Sequence, residues 1–501
     1  MTEALFTFAY ALLFVFIIYK HSFFHLQGIS KKITISIFIL KILCGLVLWW
    51  IYTYYYTDRI KADIYKYYDD SKPLYDLLFQ HPIDFFQILF GINNDTEKYN
   101  YIYDQMYNWY TPFATHIYNS NQAIIRINTA IRILSFGNFN VHTVFFCFFS
   151  LIGQVAIYKT FYPYLENKKW GLCIAVFLLP TVLFWGSGVL KEGIILFGLG
   201  LFIYSFHELI FRKINFKTVI ILLTGIVSIG IMKPYILISL FPGSIILIVV
   251  RYFGNRFLLL KYAGILIVMI LIGCALARIS DNYNAPQMLS FRQKDFYNAM
   301  KGGIYFQRYT GESKDYENIY FPASKLKEFK NVVRGDTIQI NFTDTAYIWD
   351  VMTYLITDTI LITPSANLKY RLVMKDTISG SGIKIPELKA SYLSIIKNSP
   401  MAFLNSLSRP YPFEMDSIFS LMAGFENILL ELFMIFCLFF IKIPTDEKRT
   451  MALFSFSFVL MLFILTGLVT PVIGAIVRYK MPALPFLIIS LLLITDTNKL
   501  K

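Results

Sequence analysis

Charged side chains are scarce in this chain. Asp, Glu, Lys and Arg make up 16% of its 501 residues, against 56% hydrophobic. Cysteine is also sparse, and badly placed for chemistry. Cys44, Cys147, Cys173, Cys274 and Cys437 all sit inside apolar runs, so no disulfide framework staples an exposed loop. The absence of a CxxC or Cys/His cluster removes a zinc-type site. No nucleotide-binding glycine fingerprint or P-loop occurs, so the sequence gives no support to a soluble nucleotide donor. No internal repeat or low-complexity tract is visible.

What fills the chain instead is apolar surface, with 48 Phe and 35 Tyr. Runs of about 17–25 apolar residues recur, each long enough to cross a bilayer core. The expected fold is an all-α polytopic membrane protein of about eleven transmembrane helices. They lie near 3–19, 33–56, 139–161, 169–186, 189–208, 217–233, 235–251, 260–279, 417–442, 450–469 and 481–496. The first run lacks a basic leader and a small-residue cleavage site, so it is expected to be a retained helix. The net charge of +14 is then a matter of loops rather than of nucleic acid, and no nucleic-acid partner is expected.

Loop charge sets the orientation. KHSFFHLQGISKK, YKTFYPYLENKKW, HELIFRKINFK, RYFGNRFLLLK, KIPTDEKRT and the tail DTNKLK are short and mostly basic, as cytoplasmic loops are. They fall on one side only if the run around FWGSGVLKEGI is two helices joined by an outward turn. The N-terminus is then extracytoplasmic and the C-terminus cytoplasmic. The chain divides into two helices (1–56), a first extracytoplasmic loop (57–138), a bundle (139–279), a second extracytoplasmic loop or domain (280–416) and the last spans (417–501). The first loop contains the amphipathic SKPLYDLLFQHPIDFFQILFGI, fit to lie on a membrane surface. The second mixes β-branched and aromatic residues with turn formers, which predicts some strand in a small α+β region. Its end, ELKASYLSIIKNSPMAFLNSL, has the spacing of an interfacial helix.

This topology gathers the charges of the membrane region at the outer face. They are Lys191 and Glu192, Lys233 with Tyr235 in MKPY, and Arg478 with Lys480 in VRYKMPALP. Beside them stand Asp58, Asp63, Asp69 and Asp70 of TDRIKADIYKYYDD, Arg409 and Glu414 of SRPYPFEMDS, and Arg126 and Arg132 of IIRINTAIRIL. Each has a structural alternative: a solvated turn for Lys191 and Glu192, a snorkelling end for Lys233, a headgroup anchor for Arg478 and Lys480, and a mutual pair for Arg409 and Glu414. Basic residues at one depth on the outer side run against the positive-inside bias. A cluster of this kind suits a phosphate, which Arg holds through two oxygens. An Asp nearby can take the proton of an acceptor hydroxyl. Tyr65, Tyr67 and Tyr68 are candidates to stack on sugar faces.

The acidic loop early in the chain and the R-Y-x-x-P-x-x-P of the last span resemble the C-type membrane glycosyltransferases. FWGSGVLKEGI, MKPY and SRPYPFE, in that order, also resemble multi-span proteins of bacterial polysaccharide clusters with a polymerase-like outline. The resemblance implies an enzyme of the bacterial cytoplasmic (inner) membrane, taking polyprenyl-phosphate-linked sugars or oligosaccharides alongside polysaccharide-assembly proteins. It matches Asp63 to the catalytic loop carboxylate and Arg478 to a phosphate-side arginine. An extra span precedes the acidic loop, and single Asp residues replace the paired D-E of the protein-modifying members, so Asp58 and Asp63 both stay in play. No cofactor is firmly implied; a divalent cation is admitted by the crowded Asp residues, whose spacing matches no metal motif. A transporter or lipid-linked glycan flippase, and a non-catalytic subunit of an assembly machine, remain as alternatives.

Overall fold

The computed structural model describes residues 2–56, 59, 62–94, 96–109, 119–212, 214–310, 316–333, 335–350 and 356–496. Asp58 lies outside them. Two helices open the chain, α1 (Thr2–Lys20) and α2 (Lys31–Trp50). The first polar segment holds α3 (Asp63–Gln80), α4 (Pro82–Phe90), the short α5 (Asn100–Tyr103) and α6 (Ser120–Ser135). Then come α7 (Phe139–Leu165), α8 (Lys169–Cys173), α9 (Pro180–Trp185), α10 (Lys191–Phe211), α11 (Phe216–Met232), α12 (Pro234–Phe253) and α13 (Leu258–Ala277). The second polar segment carries α14 (Ala285–Lys301), a sheet and α15 (Tyr392–Ser408), and α16 (Ile418–Phe439), α17 (Asp446–Val469), α18 (Ile473–Lys480) and α19 (Leu484–Ile494) close the bundle.

Among the described residues, nine helical stretches are long and apolar enough to cross a membrane by length and composition. The protein is therefore a multi-pass, helical membrane protein. The difference from eleven has two sources. Phe216–Met232 is a shorter apolar helix, and the expected spans 139–161 and 169–186 fall in a single helical run, Phe139–Leu178, that turns back on itself. That stretch doubles back at Glu166–Lys168, so that Gln154 Nε2 donates to Val176 O at 2.7 Å.

Small residues set the closest crossings. A Cβ on Gly153 would lie 1.9 Å from Leu196 O, and one on Gly200 would lie 1.9 Å from Gly153 O, so α7 and α10 touch backbone to backbone. Without a hydrophobic force between helices in lipid, such close packing is what holds them together. Leu, Ile and Phe side chains point outward along the spans, with Leu259, Leu271 and Phe439 each more than half exposed, as a lipid-facing surface requires.

The second polar segment folds around six antiparallel strands, β1 (Gly303–Thr310), β2 (Tyr316–Phe321), β3 (Thr337–Ile338), β4 (Asp344–Trp349), β5 (Ile356–Ile362) and β6 (Leu368–Asp376), ordered β3-β6-β1-β2-β4-β5. Ile304, Phe306, Phe321, Phe329 and Leu372 form its own small core. The chain leaving the sheet is stitched to the bundle where α18 begins: Ile473 N donates to Ser381 O at 3.0 Å and Ile383 N to Pro471 O at 2.8 Å. Gln293 of α14 reinforces this seam by donating to Pro386 O and Leu468 O.

The amphipathic stretch of the first loop is two helices broken at His81. It buries Leu74, Leu77, Phe85 and Ile88 and exposes Phe79, Ile83, Phe86 and Phe90. Likewise α15 exposes Leu393, Ile396 and Met401. Both have the one-sided form of interfacial helices.

One residue of α2 stands out. Lys41 is fully buried, and its Nζ has no hydrogen-bond partner among the described residues. An unpaired buried cation destabilises a fold, so Lys41→Met is expected to raise thermal stability, by about 1–3 kcal/mol. Thermal unfolding in nanodiscs checks this; an unchanged or lower midpoint would show that the ammonium is satisfied in the membrane.

Candidate active site

Five separate pieces of chain converge at the sheet-bearing end of the bundle. The sequence GSGVL between α9 and α10 is a turn, as expected, but the charges after it are not solvated. Lys191 and Glu192 are the first residues of α10, at 8% and 0% exposure. Leu190 is extended (φ −135°, ψ 160°), so the helix starts abruptly and Glu192 sits in its first turn, where a carboxylate is favoured by the helix dipole.

Glu192 accepts from Arg478 through both oxygens, Nε to Oε1 at 2.7 Å and Nη2 to Oε2 at 2.8 Å, and from Lys233 Nζ at 3.1 Å. The third nitrogen of Arg478, Nη1, donates to Asp63 Oδ2 at 2.5 Å. Lys66, one turn along α3, donates to Asp63 Oδ1 at 2.8 Å. Arg478 thus bridges a carboxylate of the bundle and a carboxylate of the first loop, which a planar fork can do and an ammonium cannot. Aromatic rings back the cations: Lys233 over Tyr479 at 4.1 Å, Arg478 over Trp185 at 5.3 Å and Lys191 over Tyr67 at 4.8 Å. Lys191 Nζ also donates to Ser120 Oγ and Asn121 Oδ1. Tyr235 OH is buried here with no partner among the described residues.

Asp63 carries opposing influences. Burial pushes its carboxyl up, but Lys66 and Arg478 outweigh this and hold it well below the usual carboxylate range. Lys66 is raised in turn, chiefly by Asp63. Asp63 is therefore an ionised carboxylate whose basicity is suppressed by two cations, and any anion that draws those cations away restores it.

Asp63 and Arg478 stand on the wall of a cavity of about 820 Å³ between α9, α16 and α18. Tyr52, Tyr56, Trp185 and Phe419 supply its aromatic surface, with Tyr56 stacked on Phe419 at 5.9 Å. Glu414, Asp416 and Glu426 also line it.

Several expected site residues do other work. Arg126 and Arg132 do not line this cavity. Arg126 Nε donates to Ile88 O, and Arg132 to Ser71 Oγ and Tyr68 O, so both fasten α6 to α3 and α4. Arg409 is ion-paired with Glu414, the structural alternative for that pair. Lys480 donates to Leu407 O, Arg409 O and Asn427 Oδ1, locking the turn before α16 to the helix itself. Asp69 pairs with Arg59, and Asp70 accepts from the amides of Tyr107 and Asn108. Tyr65, Tyr67 and Tyr68 are buried in packing rather than presented to a ligand; the cavity's rings are others. Among the described residues no three His, Cys, Asp or Glu side chains group as a cation site.

Sequence reasoning missed Lys66, Trp185, Tyr52, Tyr56 and Glu426. One signal was available for Glu426, since an ionisable residue inside an apolar span is a functional candidate in its own right. The others needed the fold. No protein-family model, curated protein or solved structure matches the chain.

Proposed function

We propose that this protein is an integral membrane glycosyltransferase acting at the outer face of the bacterial cytoplasmic membrane on polyprenyl-(pyro)phosphate-linked sugars, with surface-polysaccharide polymerisation its leading form. The observation that carries this reading is that Asp63 and Arg478, ion-paired on the wall of an aromatic-lined cavity, are backed by the buried Glu192, which holds Arg478 through both oxygens. Those two carboxylates hold a guanidinium and two ammonium groups ready for an anion without leaving bare cations in the membrane.

In the proposed reaction the donor's phosphate docks against Arg478 and Lys66, which share themselves between it and Asp63. Their weakened hold raises the basicity of Asp63. The acceptor's hydroxyl oxygen attacks the anomeric carbon and its proton passes to Asp63. The bond from the anomeric carbon to the phosphate oxygen breaks, and the polyprenyl (pyro)phosphate leaves with the electron pair. The aromatic wall gives the sugar and the first isoprene units an apolar surface to lie on.

The test is the size distribution of surface glycans in a deletion strain, complemented with wild-type protein or with variants of equal abundance. Loss of long chains with build-up of single repeat units is expected. Uniform shortening of each unit would instead make the protein a single-sugar transferase, and unchanged glycans would overturn the enzyme reading for that pathway.

The second reading is a transporter or lipid-linked glycan flippase. Leu179 is extended (φ −61°, ψ 125°) and interrupts the helical run between Phe139–Leu178 and α9. Broken helices with polar groups beside them are a feature of transport sites. Glycan export restored by a transfer-dead but folded variant would favour that reading.

A further inference from the structure

The floor of the cavity holds a carboxylate that the transfer chemistry above does not use. Glu426 lies eight residues beyond Ile418, the first residue of α16, about 12 Å along the axis at roughly 1.5 Å per residue. It is 5% exposed. Its Oε2 is fully occupied, accepting from Thr181 N at 2.9 Å and from Thr181 Oγ1. Its Oε1 is buried with no partner among the described residues, although Glu426 lines the cavity.

The two oxygens are therefore unequal. One is pinned to the backbone where α9 begins, which fixes the rotamer, and the other is left without a donor. A buried acceptor in that state is costly unless something supplies a proton-bearing group. The nearest cation cannot. Lys480 Nζ is committed to Leu407 O, Arg409 O and Asn427 Oδ1. The surrounding wall is aromatic, from Trp185, Phe184 and Phe419, which pack on one another at 5.3–6.4 Å. An unpartnered acceptor beside these aromatic faces suits a neutral ligand with an apolar ring face and hydroxyl donors at its edge.

We propose that Glu426 Oε1 is the hydroxyl-reading group of a sugar subsite on the floor of this cavity. The subsite takes a neutral polyhydroxyl ring, and its hydroxyl donates to Oε1 while its ring face lies against Trp185 and Phe419. Glu426 is a specificity residue in this arrangement, remote in role from the ion-paired Asp63 and Arg478. The proposal rests on the cavity being the chamber where the sugar sits, but it requires no transfer chemistry.

The test uses the full-length protein in nanodiscs and three amphiphiles of equal chain length: an alkyl glucoside, an alkylammonium and an alkyl phosphate. Binding is read as quenching of the fluorescence lost in Trp185→Phe. The alkyl glucoside is expected to saturate the signal in the wild type and to bind about tenfold more weakly, roughly 1.4 kcal/mol, to Glu426→Gln. Gln keeps the acceptor facing Thr181 but replaces the free oxygen with an amino group, so the fold is retained while the acceptor is lost. Glu426→Leu should remove glucoside binding while leaving alkyl phosphate binding intact. Equal glucoside affinity in all three proteins would overturn the proposal, as would a wild-type preference for the alkylammonium. Glucoside binding that depends on Glu426 in a protein with no effect on surface glycans would keep this subsite and sink the transferase reading.

Discussion

Replacing Arg478 with alanine is expected to abolish product and to lower stability by about 3–5 kcal/mol, the cost of leaving a buried partner charge uncompensated. Glu192, with no exposed side-chain surface, would keep only Lys233, and Asp63 would keep only Lys66. Loss of activity alone would not separate a phosphate-binding role from a structural one. The separating variant is the double replacement Glu192→Leu with Arg478→Met, which removes both charges and fills the space with apolar atoms. Stability should recover in part, because replacing a buried ion pair by well-packed hydrophobic groups is often neutral or favourable while Lys233 is left without its carboxylate. Activity should not recover. Arg478→Lys is expected to be nearly as inactive as alanine, since an ammonium cannot hold both oxygens of Glu192 and reach Asp63 at once. Thermal unfolding in nanodiscs, read beside glycan chain length, checks all three. A double variant that polymerises would remove Arg478 from the mechanism.

Asp63→Asn is expected to separate the two readouts, losing about 10²–10⁴-fold in transfer with abundance kept and a smaller fall in midpoint at neutral pH than Arg478→Ala shows. Asp63 is 34% exposed and its two cations have other partners or solvent, so losing the charge leaves no buried orphan. The pH dependence follows from the lowered carboxyl. Because the folded-state value lies below the unfolded one, near 3.9, its stabilising contribution is complete above about pH 5 and is lost as pH falls through the folded value. The wild type should therefore lose stability on acidification in that window more steeply than Asp63→Asn does. Parallel acid limbs for the two proteins would mean that the ion pairs with Lys66 and Arg478 are not made in the membrane-embedded protein. Retained transfer in the variant would remove Asp63 as the base and leave the transporter reading stronger.

The two variants together also say what kind of site this is. A purely structural ion network would make Arg478→Ala and Asp63→Asn differ only in stability, with activity following abundance. A phosphate site makes activity fall in both, far beyond what their unequal losses of stability account for.

Much of the architecture was legible because lipid imposes a simple rule on sequence. Each crossing must be a long apolar helix, so spans such as 235–251 and 260–279 announce themselves, and α12 and α13 lie there. The turn at GSGVL was also readable, since two crossings of this length do not fit one bilayer unless the chain turns between them. Strand in the second polar segment followed from its β-branched and aromatic content, though not the six-stranded order, which depends on pairings between residues as distant as Gly303 and Asp376.

The candidate site was legible only in part. The sequence by itself determined that Lys191, Glu192, Lys233 and Arg478 lie near one end of their spans, because position along an apolar run fixes depth. It could not determine which of them touch. Arg126 and Arg478 look alike as isolated arginines at span ends, yet one holds Ile88 O and the other bridges Glu192 and Asp63, 286 and 415 positions away. Depth is a one-dimensional property that local hydrophobicity encodes, whereas contact depends on how helices rotate and pack against one another. Those rotations are set here by close approaches such as Gly153 on Gly200, and only the tertiary structure decided them.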